Sequence, residues 1–130
     1  MKAVNKQAAK VLDKLVEGVN GSVKKVDNRP GDFMAVSIER LWDSDHFACF
    51  AVAHYYEQNG DLMADPSMEF IRDKAGNYYP TFYRQDNLGL SQESVIFDGY
   101  QIKGYRPAWQ KDQAVFAGLW MKNIKMQQGI

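Results

Sequence analysis

The chain has 130 residues, 45% of them apolar and 25% charged, with no formal net charge and a single cysteine. This is the composition of one soluble globular domain, residues 1–130, large enough to build its own core. It excludes an internal disulfide and a cysteine-based zinc site, and it offers no global attraction to nucleic acid or to an acidic membrane.

In chain order, residues 3–19 carry Ala8, Leu12, Leu15 and Val19 at steps of three and four, which predicts an amphipathic helix ending at Asn20-Gly21. Residues 22–27 read as a short strand, and residues 28–32 as a loop. Residues 33–42 alternate, with Met34, Val36 and Ile38 on one side and Ser37 and Glu39 on the other, as in a half-buried strand. Residues 47–72 read as two strands folded over Asn59-Gly60. Tyr78 to Arg84 is an aromatic strand in which Pro80 predicts an edge or a bulge. Ser94 to Phe97 and Tyr100 to Lys103 are short strands around Asp98-Gly99. Pro107 to Gln127 is a closing helix with Pro107 in its first turn. Its expected apolar face is Trp109, Phe116, Trp120, Asn123 and Ile124, joined by Val115 and Leu119. The predicted fold is α+β: an antiparallel meander of about five or six strands, with an N-terminal and a C-terminal helix packed on one face and Trp109 and Trp120 as major fillers.

The central hairpin carries the most specific local signal. A two-residue type I′ turn needs positive φ at both positions, and Asn-Gly supplies it. With Asn59 and Gly60 at the turn, Gln58 faces Asp61, Glu57 faces Leu62, Tyr56 faces Met63, Tyr55 faces Ala64 and His54 faces Asp65. Facing residues share a side of the sheet. One side then holds Phe47, Cys49, Ala51, Ala53, Tyr55, Leu62, Met68 and Phe70, and is expected to be buried. The other holds Phe50, Val52, His54, Tyr56, Met63, Asp65, Ser67 and Glu69, and is expected to be partly wet. Pro66 cannot donate to a ladder, and a bulge there would slip the faces beyond Ala64 by one residue.

At HYYEQNGDLMADPSMEF, YYPTFYRQDNLGL and the closing WMKNIKMQQG, the chain resembles an uncharacterised bacterial domain family of unknown function, associated with mobile elements and gut bacteria. The likeness covers roughly residues 33–128. It implies an α+β domain, free-standing or part of a larger protein, and it assigns no activity, cofactor or catalytic residue.

No set of residues makes a specific catalytic signature, so no catalytic residue and no cofactor is assigned. His54 opposite Asp65, with Tyr56 and Glu69 on the same side, has the composition of an acid/base pair, but its leading reading is a cross-strand polar pair that fixes register. Cys49 and His54 lie five residues apart in one strand, roughly 16 Å, too far for a thiol–imidazole dyad. His46 and His54, at roughly 26 Å, cannot share a metal. Asn59, Asp61 and Asp65 lack the order of a calcium loop, so no metal site is assigned.

Charge is unevenly distributed along the chain. Residues 1–29 have seven Lys/Arg against three Asp/Glu, residues 30–100 have four against twelve, and residues 101–130 have five against one. An acidic, Tyr-rich sheet between basic helices points to a non-catalytic protein-binding module, with His54, Tyr56, Glu57, Asp61, Asp65, Glu69 and Arg84 as binding candidates and a protein as partner. The alternatives are a small hydrolase using His54 with nearby carboxylates, and a nucleic-acid binder using Lys10, Lys14, Lys122 and Lys125. Acidic strands disfavour the latter, because phosphate contacts dominate such affinity. With no leader and no run of 18 apolar residues, the expected location is the cytoplasm.

Overall fold

In the computed structural model, which describes all 130 residues, helix α1 spans Lys6–Val16 and helix α2 spans Pro107–Gln128. Between them run β1 (Lys24–Val26), β2 (Val36–Asp43), β3 (Ala48–Gln58), β4 (Asp61–Arg72), β5 (Tyr78–Gln85), β6 (Leu90–Glu93), β7 (Val95–Asp98) and β8 (Gln101–Tyr105). Strands β1 to β6 form one antiparallel sheet in sequence order, and β7 and β8 form a separate two-stranded sheet. The α+β meander between two helices is as predicted. The last two strands differ: they leave the meander and form a hairpin of their own.

Helix α1 starts where the Asn5 side chain accepts the Ala8 amide at 2.8 Å, a Ser/Asn-type cap that occupies an otherwise orphan donor. Helix α2 starts at Pro107 and ends on Gly129, whose φ of 67° lets its amide return to the Lys125 carbonyl at 2.9 Å. Both helices lie on one side of the large sheet. Leu12, Leu15, Val36, Ile38, Phe50, Val52, Met68, Phe70, Ala117, Trp120, Met121 and Ile124 form a single core between the layers.

The Asn59-Gly60 turn is as expected, with φ of 54° and 85°. The four pairs nearest it, from Gln58↔Asp61 to Tyr55↔Ala64, are in the predicted register. Beyond them β4 bulges: Ala53 pairs with Ser67, so His54 stands opposite both Asp65 and Pro66, which are joined by a cis peptide. Val52 therefore meets Met68, and Phe50 meets Phe70. The expected face assignment is corrected on β3. Phe50 and Val52 face the helices, while Ala51 and Tyr55 are only half-buried and Leu62 is 63% exposed. The physical reason is volume: the helices bury the bulky residues and leave the small ones on the far side. Pro80 likewise sits at a bulge, since Phe70 pairs with Pro80 and Glu69 with Phe82, leaving Thr81 over.

The far side of the sheet is covered at one end only. Trp42 pairs with Cys49, and Cys49 with Ile71. The β7–β8 hairpin packs there through Phe97 and Tyr100, whose rings lie 5.4 and 5.1 Å from Trp42. Cys49 is thus buried although it points away from the helices. Burial, together with the nearby Glu69 charge, pushes its thiol up to about 12, which makes it chemically inert.

Helix α2 also departs from expectation. Its core face includes Gln110, Gln113 and Gln128, while Trp109, Val115 and Leu119 are exposed, so Trp109 is not a core filler. Each glutamine is held in the core by hydrogen bonds to backbone groups, with the Gln113 Oε1 alone left without a partner. Gln110 donates to the Pro80 carbonyl at 3.1 Å and accepts the Lys2 amide at 2.8 Å. Gln113 donates to the Gln92 carbonyl at 3.0 Å.

Candidate functional site

The seven residues singled out from the sequence do not form one site. His54 is buried on the helix side, its ring edge-on to Trp120 with centroids 5.5 Å apart and its Nδ1 3.1 Å from the Ala35 carbonyl. Alternation along β3 puts Tyr56 on the same side, paired with Met63. Glu57 and Asp61 are exposed beside the hairpin turn. Asp65, at the bulge, accepts a hydrogen bond from the Gln85 side chain. Glu69 lies on the far side of the sheet, as does Arg84, which pairs with Ser67 and holds Asp86 at 3.0 Å. The β4 bulge is what divides them: it shifts the parity of Ser67 and Glu69 relative to His54 and Tyr56.

This arrangement separates His54 from two of the carboxylates of the hydrolase alternative, Glu57 and Glu69. The imidazole of His54 is oriented by a backbone carbonyl instead of a carboxylate. It is packed on an indole, and Glu57 and Glu69 are on the other side of the strand. A cleft of about 350 Å³ does border His54, Asp65, Trp120, Asn123 and Gln127, but it brings no nucleophile to the ring. No three His, Cys, Asp or Glu side chains converge in a metal-holding cluster.

The open part of the sheet's far side has a different character. Strand register places Glu39 beside Ala51, Ala51 beside Glu69, Glu69 beside Phe82, and Phe82 beside Glu93. Three carboxylates therefore stand in one row across the sheet on alternate strands, about 10 Å apart. The next row is Lys25, Ser37, Ala53, Ser67, Arg84 and Ser91, so its floor is small and polar between two cations. Ser37, Glu39, Ala51, Ala53, Tyr55 and Leu62 line a groove of about 400 Å³ on this side, completed by Val23, Lys25 and Ala35.

Residues 4–130 match the family described as a domain of unknown function, DUF6908. The chain belongs to DUF6908. No curated protein and no solved structure matches it. The match runs over nearly the full length of this chain, and the description assigns neither a catalytic nor a binding role.

Within this DUF6908 domain, Glu69 is the central carboxylate of the acidic row. Its pKa is raised, first by burial; Arg84 opposes the shift and Glu93 adds to it. A carboxyl whose folded pKa lies above its unfolded value costs stability as pH rises through that pKa, and costs nothing well below the unfolded value. Glu69→Gln is therefore expected to raise the urea midpoint at pH 7, with the gain shrinking toward zero near pH 4. Equilibrium unfolding of both proteins across this range checks it, and a gain independent of pH contradicts it.

The residues missed from the sequence are Ala51, Tyr55 and Leu62, assigned there to the buried side, together with Lys25, Ser37 and Glu39. A signal was present: Phe50 and Val52 alternate with Cys49, Ala51 and Ala53, and the larger set is the one two helices bury best.

Proposed function

We propose that this domain is a non-catalytic binding module whose open sheet face takes a basic, extended segment of a partner protein. The observation that carries the reading is the row Glu39–Glu69–Glu93 beside a floor of alanine and serine. A chain in the polyproline II conformation advances about 3.1 Å per residue and returns to the same side every three residues, so a carboxylate every 10 Å or so matches Lys or Arg at every third position. Ala51, Ser37 and Ser67 let a backbone approach closely, and Tyr55, Leu62 and Phe82 supply apolar contact around it. Glu69, already half-buried, gains most from a cation that enters its surroundings. The same row repels a phosphate backbone, so the reading favours a protein partner over nucleic acid.

The test is fluorescence anisotropy with a labelled peptide bearing Lys or Arg at every third residue, against the same peptide with acidic residues there. The basic peptide is expected to bind, more weakly as salt is added. Glu39→Gln/Glu69→Gln/Glu93→Gln is expected to weaken it by roughly tenfold or more. Binding that survives the triple substitution, or an acidic peptide that binds equally, overturns the proposal.

A further inference from the structure

Helix α2 carries a second apolar stripe, diametrically opposite its core face. Ala108, Asp112, Val115, Leu119, Lys122 and Met126 follow one another at steps of four and three, and all six are exposed. Val115, Leu119 and Met126 are 60%, 62% and 64% accessible. This is the spacing of a coiled-coil seam, about 27 Å long, with no partner in the chain.

The stripe is also symmetric about position 117. In an antiparallel pair of α2 helices centred there, Val115 of each copy meets Leu119 of the other, Ala108 meets Met126, and Asp112 meets Lys122. An isologous interface requires that a surface be complementary to itself under a two-fold axis, and this one is. The two charges interrupting the apolar seam are opposite in sign and fall on each other. Within the chain neither has an ion-pair partner, since the two salt bridges are Arg40–Asp43 and Arg84–Asp86. We infer that the protein forms an antiparallel homodimer through the outer stripe of α2, with Val115 and Leu119 at its centre and Asp112–Lys122 pairs at each side. Lys111 and Lys125 flank the seam and repel across it, so moderate salt favours association. In this dimer the two sheets lie outermost and their open faces point away from one another, which presents any ligand of that face with two sites.

Sedimentation velocity over a dilution series at moderate salt is the test. The wild type is expected to be a reversible dimer. Asp112→Lys and Lys122→Asp each place like charges against each other twice, and each is expected to weaken the dimer about tenfold or more. An equimolar mixture of these two variants restores opposite charges at both contacts and is expected to recover a heterodimer. Leu119→Glu is expected to leave a folded monomer, checked by circular dichroism. A folded wild type that stays monomeric throughout, as it would if another protein or a longer chain covered the stripe, overturns the inference. So does a dimer indifferent to single reversal, or a mixture that fails to associate.

Discussion

Phe50→Ala is expected to destabilise the protein by about 3–5 kcal/mol, the cost of emptying a buried aromatic site. Phe50 is 2% exposed, lies in the core between Phe70, Val52 and the helices, and has the Arg40 and Arg72 guanidinium groups 5.7 and 5.2 Å from its ring centre. The ring thus contributes apolar burial on one side and a cation–π contact near the rim. The informative control is Leu62→Ala. Leu62, on the open face, is expected to cost no more than about 0.5 kcal/mol. If β3 turned its odd-numbered residues to the core, as the hairpin pattern by itself suggests, the two costs would exchange. Urea unfolding of both variants decides between the orientations, because midpoint differences of this size are far outside the error of extrapolation.

Gln128→Ala is expected to cost about 1–3 kcal/mol, although mainly polar contacts are lost. The Gln128 side chain accepts the Asn28 amide at 2.7 Å and donates to the Met34 carbonyl at 3.1 Å, while its own carbonyl accepts the Asn28 side chain at 2.8 Å. It therefore ties both ends of the β1–β2 connection to the last turn of α2. Gln128 is buried, while the Asn28 amide belongs to an exposed residue and the Met34 carbonyl to a half-buried one, so truncation orphans at most one group fully, at about 1–3 kcal/mol. Gln128→Glu keeps the acceptor for Asn28 but turns a carboxylate oxygen toward the Met34 carbonyl, so it is expected to rescue little. Hydrogen exchange gives a second readout: the Asn28 amide should lose protection in Gln128→Ala before the global unfolding limit is reached. Unchanged protection at Asn28 would show that the glutamine does not hold this loop.

These two sites mark where sequence reasoning stops. Asn59-Gly60 set the register of the hairpin for four pairs, because a turn dictates its flanking residues by covalent geometry. The signal decayed at Pro66. A residue without an amide hydrogen announces that the ladder is interrupted there, but not how many residues the interruption consumes. Everything about the candidate site beyond that point inverted with it. His54 and Asp65 ceased to be a simple facing pair, and Glu69 joined Glu39 and Glu93 on the opposite side from His54. The acidity of the middle segment was plain from counting residues, whereas its gathering into one row depends on four strand registers at once.

The sequence by itself determined the elements whose causes are local. The apolar stripe of α1, the Pro107 start and Gly129 end of α2, the turn at Asn59-Gly60 and the two prolines at bulges all follow from backbone preferences and short-range periodicity. It also determined the charge distribution, the lone cysteine and hence the chemistries that are excluded. Tertiary structure alone decided which side of the sheet the helices cover, why polar Gln110, Gln113 and Gln128 are inside while Val115 and Leu119 are outside, and where the β7–β8 hairpin folds. Burial follows from the nearest layer rather than from residue type. A glutamine that meets backbone donors and acceptors is stable in the core, and a leucine with no layer above it stays in water until another surface covers it.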